Sequence, residues 1–153
     1  MRPVLVLTLS LFAAGAAWAA QVPPEVAARV RAAMPGMTIT DAELKERDGR
    51  RYYDVEGRLP DGAEIELDLL QTATGWEVVE IQRDIPWTAV PAQAHEAARR
   101  AWKGADPVRV IESRQTDGAV IYELFAHGRP ATPALEVMVK DGQARVLKEA
   151  WPH

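Results

Sequence analysis

Apolar and acidic residues alternate along most of the chain beyond residue 36, and Asp-Gly pairs interrupt the alternation at Asp48-Gly49, Asp61-Gly62, Asp117-Gly118 and Asp141-Gly142. Asp-Gly tolerates the positive φ angles of tight hairpin turns, so each pair marks a reversal between two strands. The pattern predicts strands near 38–47, 51–59, 63–71 and 76–83, and again near 108–116, 119–127, 134–140 and 143–149. Short connections between neighbours make the sheet antiparallel.

One helix precedes each strand set. Val22-Pro23-Pro24 opens the first, with proline in the first turn, where its missing N–H costs nothing. Val26, Val30, Ala33 and Met34 share a face at helical spacing, and Pro35-Gly36 stops the helix. Val90-Pro91 opens the second, whose apolar face is Ala94, Ala97, Ala98, Ala101 and Trp102, with Gly104 as its stop. The two halves run in the same order, and Tyr53 aligns with Tyr122, Asp48 with Asp117, and Ile65-Glu66-Leu67 with Leu135-Glu136-Val137. The expected fold is therefore α+β: a tandem duplication of a helix followed by three to four antiparallel strands, with repeats at 22–85 and 90–151 and a joint at 86–89.

Pairing can be taken to the level of register. With Asp48-Gly49 as a two-residue turn, Glu43 faces Asp54 and Asp41 faces Glu56; with Pro60-Asp61-Gly62 as a three-residue turn, Asp54 faces Asp68 and Glu56 faces Glu66. Both hairpins then put Ala42, Leu44, Tyr53, Val55, Leu67 and Leu69 on one inner face. The outer face collects Asp41, Glu43, Asp54, Glu56, Glu66 and Asp68, which reads as a solvated acidic surface. Arg58 stands opposite Glu64 at one end. In the second half, alignment of the repeats sets Val110, Phe125 and Met138 on the outer face beside Glu112 and Glu123. Trp76, Trp87 and Trp151 fall near the joint and the last strand, where they either pack the halves together or form part of an interface.

The ends and the charge add a location and exclude several chemistries. Arg2, an apolar run from Val4 to Ala17 and the small residues of Ala17-Trp18-Ala19 form a signal-peptide pattern, with cleavage expected after Ala19. The mature chain is then periplasmic or secreted, with no further segment long enough to span a membrane. There is no cysteine, so packing alone holds the fold and no thiol chemistry is open to it. Residues 22–85 carry 8 basic and 14 acidic side chains, residues 90–153 carry 9 and 8. An acidic chain lacks the positive footprint that nucleic-acid binding requires.

Catalytic residues are not evident. Ser113 is the only serine beyond the leader and has no Gly-x-Ser-x-Gly turn around it. His95, His127 and His153 are isolated, without metal-ligand spacing, and read as solvated surface. There is no phosphate loop or dinucleotide fingerprint, so no cofactor is expected. The paired carboxylates lack the desolvated partner that acid/base catalysis requires. They suit a basic protein surface or, as the alternative, a Ca²⁺-type cation, since only oxygen ligands are on offer.

The Val22-Pro23-Pro24 helix start, Met34-Pro35-Gly36, Asp48-Gly49, Tyr53-Asp54-Val55 and Ile65-Glu66-Leu67-Asp68, followed by Val90-Pro91, Asp117-Gly118 and Tyr122-Glu123-Leu124, resemble the PepSY and PepSY-like domains. The resemblance covers nearly the whole mature chain, through diffuse motifs that mark a fold and not a chemistry. It implies an extracytoplasmic module without shared catalytic residues, related to domains in protease propeptides thought to restrain the protease. Tandem copies are similar to the β-lactamase-inhibitor-protein architecture, in which an open sheet face meets a partner. The expected function is thus protein binding, through Asp41, Glu43, Asp54, Glu56, Glu66, Asp68, Val110, Phe125 and Met138, with a cation- or small-ligand-responsive sensor as the alternative.

Overall fold

A computed structural model describes residues 22–128 and 131–151. The expected signal segment, 1–19, and His153 lie outside the described residues. Helix α1 (Pro24–Ala33) precedes strands β1 (Thr38–Arg47), β2 (Arg50–Arg58), β3 (Glu64–Thr72) and β4 (Gly75–Asp84). A short 3-10 turn (Trp87–Ala89) leads into α2 (Ala92–Ala101), followed by β5 (Arg109–Gln115), β6 (Val120–Phe125), β7 (Leu135–Lys140) and β8 (Gln143–Val146). All eight strands form one antiparallel sheet in sequence order, and β4 pairs directly with β5.

The turns set this order. Asp48 and Gly49 both adopt positive φ (53° and 71°), as do Asp141 and Gly142 (51° and 74°), which closes each hairpin with two residues. The other two Asp-Gly pairs belong to three-residue turns. Leu59 N–H donates to Ala63 O and Gln115 N–H to Ala119 O, both at 2.9 Å, and in each turn the aspartate carboxylate accepts an N–H two residues on.

Both helices cover the same face of the sheet. The register row Leu67, Ile81, Arg114, Val120, Val139, Ala144 runs across six strands on one side. At one end of this side α1 packs Val26 and Val30 against Val55, Ile65, Leu67, Leu69 and Trp76. At the other, the small residues Ala94, Ala97 and Ala98 bring α2 close to Val110, Tyr122, Leu124 and Val137. Between the two cores Glu112 accepts from Arg83 Nε at 2.9 Å and Arg114 Nε at 2.8 Å. Burial pushes the Glu112 carboxyl up, but the Arg114 and Arg83 hydrogen bonds outweigh it and hold the group below its ordinary value. Burial, then the Glu112 charge, pushes the neighbouring Tyr122 hydroxyl up to about 12.

Four residues differ from expectation in side or exposure. Val110 is 2% exposed in the α2 core, and Glu112 shares its face, so both lie opposite the side expected for them. The cause is the Asp117-Gly118 turn: its third residue pairs Val110 with Leu124 and Glu112 with Tyr122, where a two-residue turn would pair them with Phe125 and Glu123. A one-residue slip flips every side chain of a strand. Leu44 lies on the helical side, yet it is 42% exposed, because the edge strand β1 has a neighbour on one side only. Trp76 packs edge-on against Tyr53 in the first core, and Trp87 stacks on His95 with ring centroids 4.0 Å apart, so His95 is half-buried against an indole and not fully solvated.

Candidate functional site

The face opposite the helices carries the acids. Strand alternation puts Asp41, Glu43, Lys45 and Arg47 of β1 on this side, with Asp54 and Glu56 of β2 and Glu66 and Asp68 of β3. The expected pairs Asp41–Glu56, Glu43–Asp54, Asp54–Asp68 and Glu56–Glu66 are all present in the register. Beyond them, Asp68 faces Glu80, and Glu80 faces Gln115, so one row places four carboxylates side by side across four strands. Like charges directly across strands repel. The chain compensates with groups that the acidic pattern alone does not reveal.

Lys45 Nζ contacts Asp54 Oδ2, and Arg47 Nη2 lies 3.5 Å from Asp54 Oδ1 and 3.1 Å from Asp68 Oδ2. The Arg47 guanidinium also stacks over the Tyr52 ring, 4.3 Å from its centroid. Beneath these side chains Asp54 and Asp68 are 7% and 3% exposed, so this part of the face is a buried ion-pair network and not a solvated surface. Glu80 accepts from Ser113 Oγ and, at 2.9 Å, from Gln115 Nε2. Ser113 itself is fully buried. Lys45 and Arg47 follow Asp41 and Glu43 at the same period of two, so continuing the alternation identifies them. The Glu80–Ser113–Gln115 contact depends on the β4–β5 pairing across α2, which no local pattern marks.

Asp54, Glu66 and Asp68 each offer an oxygen within 4.8 Å of the others, an arrangement that could hold a divalent cation. Burial is the chief force raising Glu66, assisted by the charges of Asp68, Asp54 and Glu56, and it brings that carboxyl up to about 7. Burial and then Asp54 raise Asp68 to about 6, against the pull of Arg47. The ammonium of Lys45 and the guanidinium of Arg47 already supply positive charge at this cluster.

Alongside the cluster runs a groove of about 230 Å³, lined by Thr40, Glu56, Arg58, Glu64, Glu66, Gln82, Asp84, Arg109 and Ile111. Arg58 pairs with Glu64 at 2.5 Å, and Arg109 grips both oxygens of Asp84 at 2.7 and 3.2 Å. Glu56 and Glu66 take part in no ion pair among the described residues.

The second half of this face is covered. Ala119, Ile121 and Met138 form an apolar cluster under Leu147 and Trp151. Trp151 N–H donates to Glu136 Oε2 at 2.6 Å, and Leu147 N–H to Glu136 O at 2.9 Å. Phe125 lies on the same side, 4% exposed beneath the Arg109 guanidinium, whose carbon is 5.4 Å from the ring centroid. Of the nine residues expected to form a binding surface, the fold thus brings six acids together on one face. Phe125 and Met138 are buried at its other end, and Val110 is on the opposite side. Comparison with protein-family models, curated proteins and solved structures returns no match.

Proposed function

We propose that the protein is an exported, non-enzymatic binding module that recognises a basic surface of another protein through the uncovered acidic half of its sheet face. One observation carries this reading: both helices occupy one side of the sheet, the C-terminal segment covers the second half of the other side, and what remains open is the part bearing Asp41, Glu43, Glu56 and Glu66. Electrostatic complementarity of this kind favours fast, specific encounter with a positively charged partner. The signal-like N-terminus supports export, and the order helix, four strands, helix, four strands supports a duplicated PepSY-like unit. Full burial of Ser113 argues against its use as a nucleophile.

The test uses Glu43→Lys with Glu56→Lys, two exposed positions outside the buried acids Asp54 and Asp68; Glu43 lies 3.6 Å from Lys45, and Glu56 takes part in no ion pair among the described residues. Immobilised protein should capture a partner from its own envelope fraction, and the double variant should lose that partner while still melting as one cooperative unit. Capture that survives the charge reversal removes the acidic face from the proposal.

The three carboxylates within 4.8 Å favour a second reading, a cation-responsive sensor. It requires the cation to displace or outcompete Lys45 and Arg47. Ca²⁺ at roughly a hundred times its Kd would stabilise the fold by about 2.7 kcal/mol. A Tm unmoved by millimolar Ca²⁺ rules this reading out.

A further inference from the structure

The geometry points to a specific occupant of the groove: we propose that it receives one arginine side chain from the partner, held between Glu56 and Glu66. This rests on the protein-binding reading of the face and says what that reading leaves open, namely which chemistry the groove selects. Four carboxylates line it, and two are already committed, Glu64 to Arg58 and Asp84 to Arg109. The remaining two, Glu56 and Glu66, stand directly opposite each other on β2 and β3. Side chains so paired start about 5 Å apart at Cβ, a spacing that a planar, five-donor guanidinium can bridge.

Size narrows the ligand further. Sites for whole small molecules usually measure about 300–1,000 Å³. At about 230 Å³ the groove falls below that range and suits a single long side chain. Ile111 at its edge offers an apolar wall for the methylene stem, while the charged head remains at the carboxylates. Arg58 and Arg109 flank the groove, so a second cation beside the first would meet like charge on both sides. Arginine is preferred to lysine because two acceptors can be met in parallel by one guanidinium, whereas an ammonium acts as a point charge.

The experiment is a titration of the isotope-labelled protein, followed by amide NMR, with a blocked Gly-Ala-Arg-Ala-Gly peptide and its lysine and citrulline counterparts. The arginine peptide should shift the amides of Glu56, Glu66 and Ile111, the lysine peptide should bind more weakly, and citrulline should leave them unmoved. Glu56→Gln with Glu66→Gln, which relieves repulsion and so preserves the fold, should weaken arginine binding by roughly tenfold or more. Three outcomes overturn the proposal: shifts confined to Asp41, Glu43 and Asp54, equal response to citrulline, or no effect of the double glutamine variant. If the first occurs while Glu43→Lys with Glu56→Lys still abolishes partner capture, the binding face stands and the groove assignment falls. Absence of any shift on the face up to on the order of 10 mM peptide, together with capture insensitive to charge reversal, removes both.

Discussion

At the scale of single residues, the balance of the acidic face turns on Glu66. Asp54 and Asp68 keep Lys45 and Arg47 beside them, whereas Glu66 is half-buried among three other carboxylates, in no ion pair among the described residues, with only the more distant charge of Lys45 opposing them. Its folded pKa of about 7 and that of Asp68, about 6, both lie above the ordinary values of 4.5 and 3.8. A raised acid pKa means that the folded state holds its proton more tightly than the unfolded one. The associated stability is complete below pH ~4 and is lost as pH rises towards 7. Tm should therefore decline between pH 4.5 and 7.5, a window in which many proteins hold theirs. Glu66→Gln should flatten that decline and raise Tm at pH 8 by a few degrees, at about 4 °C per kcal/mol for a chain of this size. Thermal melts of the two proteins across this range would test it, and identical slopes would show that Glu66 does not carry the linkage.

At the scale of elements, a backbone irregularity in β1 explains a glycine near the end of β2. Pairing of β1 with β2 shifts register between Ile39 and Asp41, and Gly57 lies opposite Ile39. A Cβ at Gly57 would sit 2.5 Å from Thr38 O and 2.4 Å from Met37 Cε. Methionine can move, but the carbonyl belongs to the strand itself. Gly57→Ala should cost about 1–3 kcal/mol, the usual penalty for overpacking, and denaturant melts would measure it. The same level shows what could be read in advance. Strand positions and the register of β1 to β3 followed from alternation and turn chemistry, because Asp48-Gly49 and Pro60-Asp61-Gly62 specify their own loop lengths. Val110 and Glu112 did not, because alignment carried the two-residue turn at Asp48-Gly49 onto Asp117-Gly118, which closes with three. Aligned turns of different length reverse one strand against its counterpart, so residues equivalent in sequence need not be equivalent in face.

At the scale of the whole molecule, a single meandering sheet has two unlike halves to its open side, and the C-terminal segment makes the difference. Lys45 and Arg47 over Asp54 and Asp68 continue the alternation of β1 and were legible in it, whereas the covering of Ile121 and Met138 by Leu147 and Trp151 follows from no local pattern. Trp151 docks over Ile121 and Met138 with one backbone hydrogen bond to Glu136, while Leu147 extends the path of β8 beside Glu136. Removing residues 147–153 would uncover that apolar cluster and leave the Glu136 carboxylate, 7% exposed, without its donor from Trp151. Loss of two apolar side chains from partly buried positions should cost about 2–4 kcal/mol, and the bared patch should bind a hydrophobic dye. If recognition resides in the acidic half, the truncated protein should still capture its partner with affinity within about threefold of the full chain, a difference under 1 kcal/mol. Lost capture by a truncated chain that still melts cooperatively would instead place the covering segment within the binding surface.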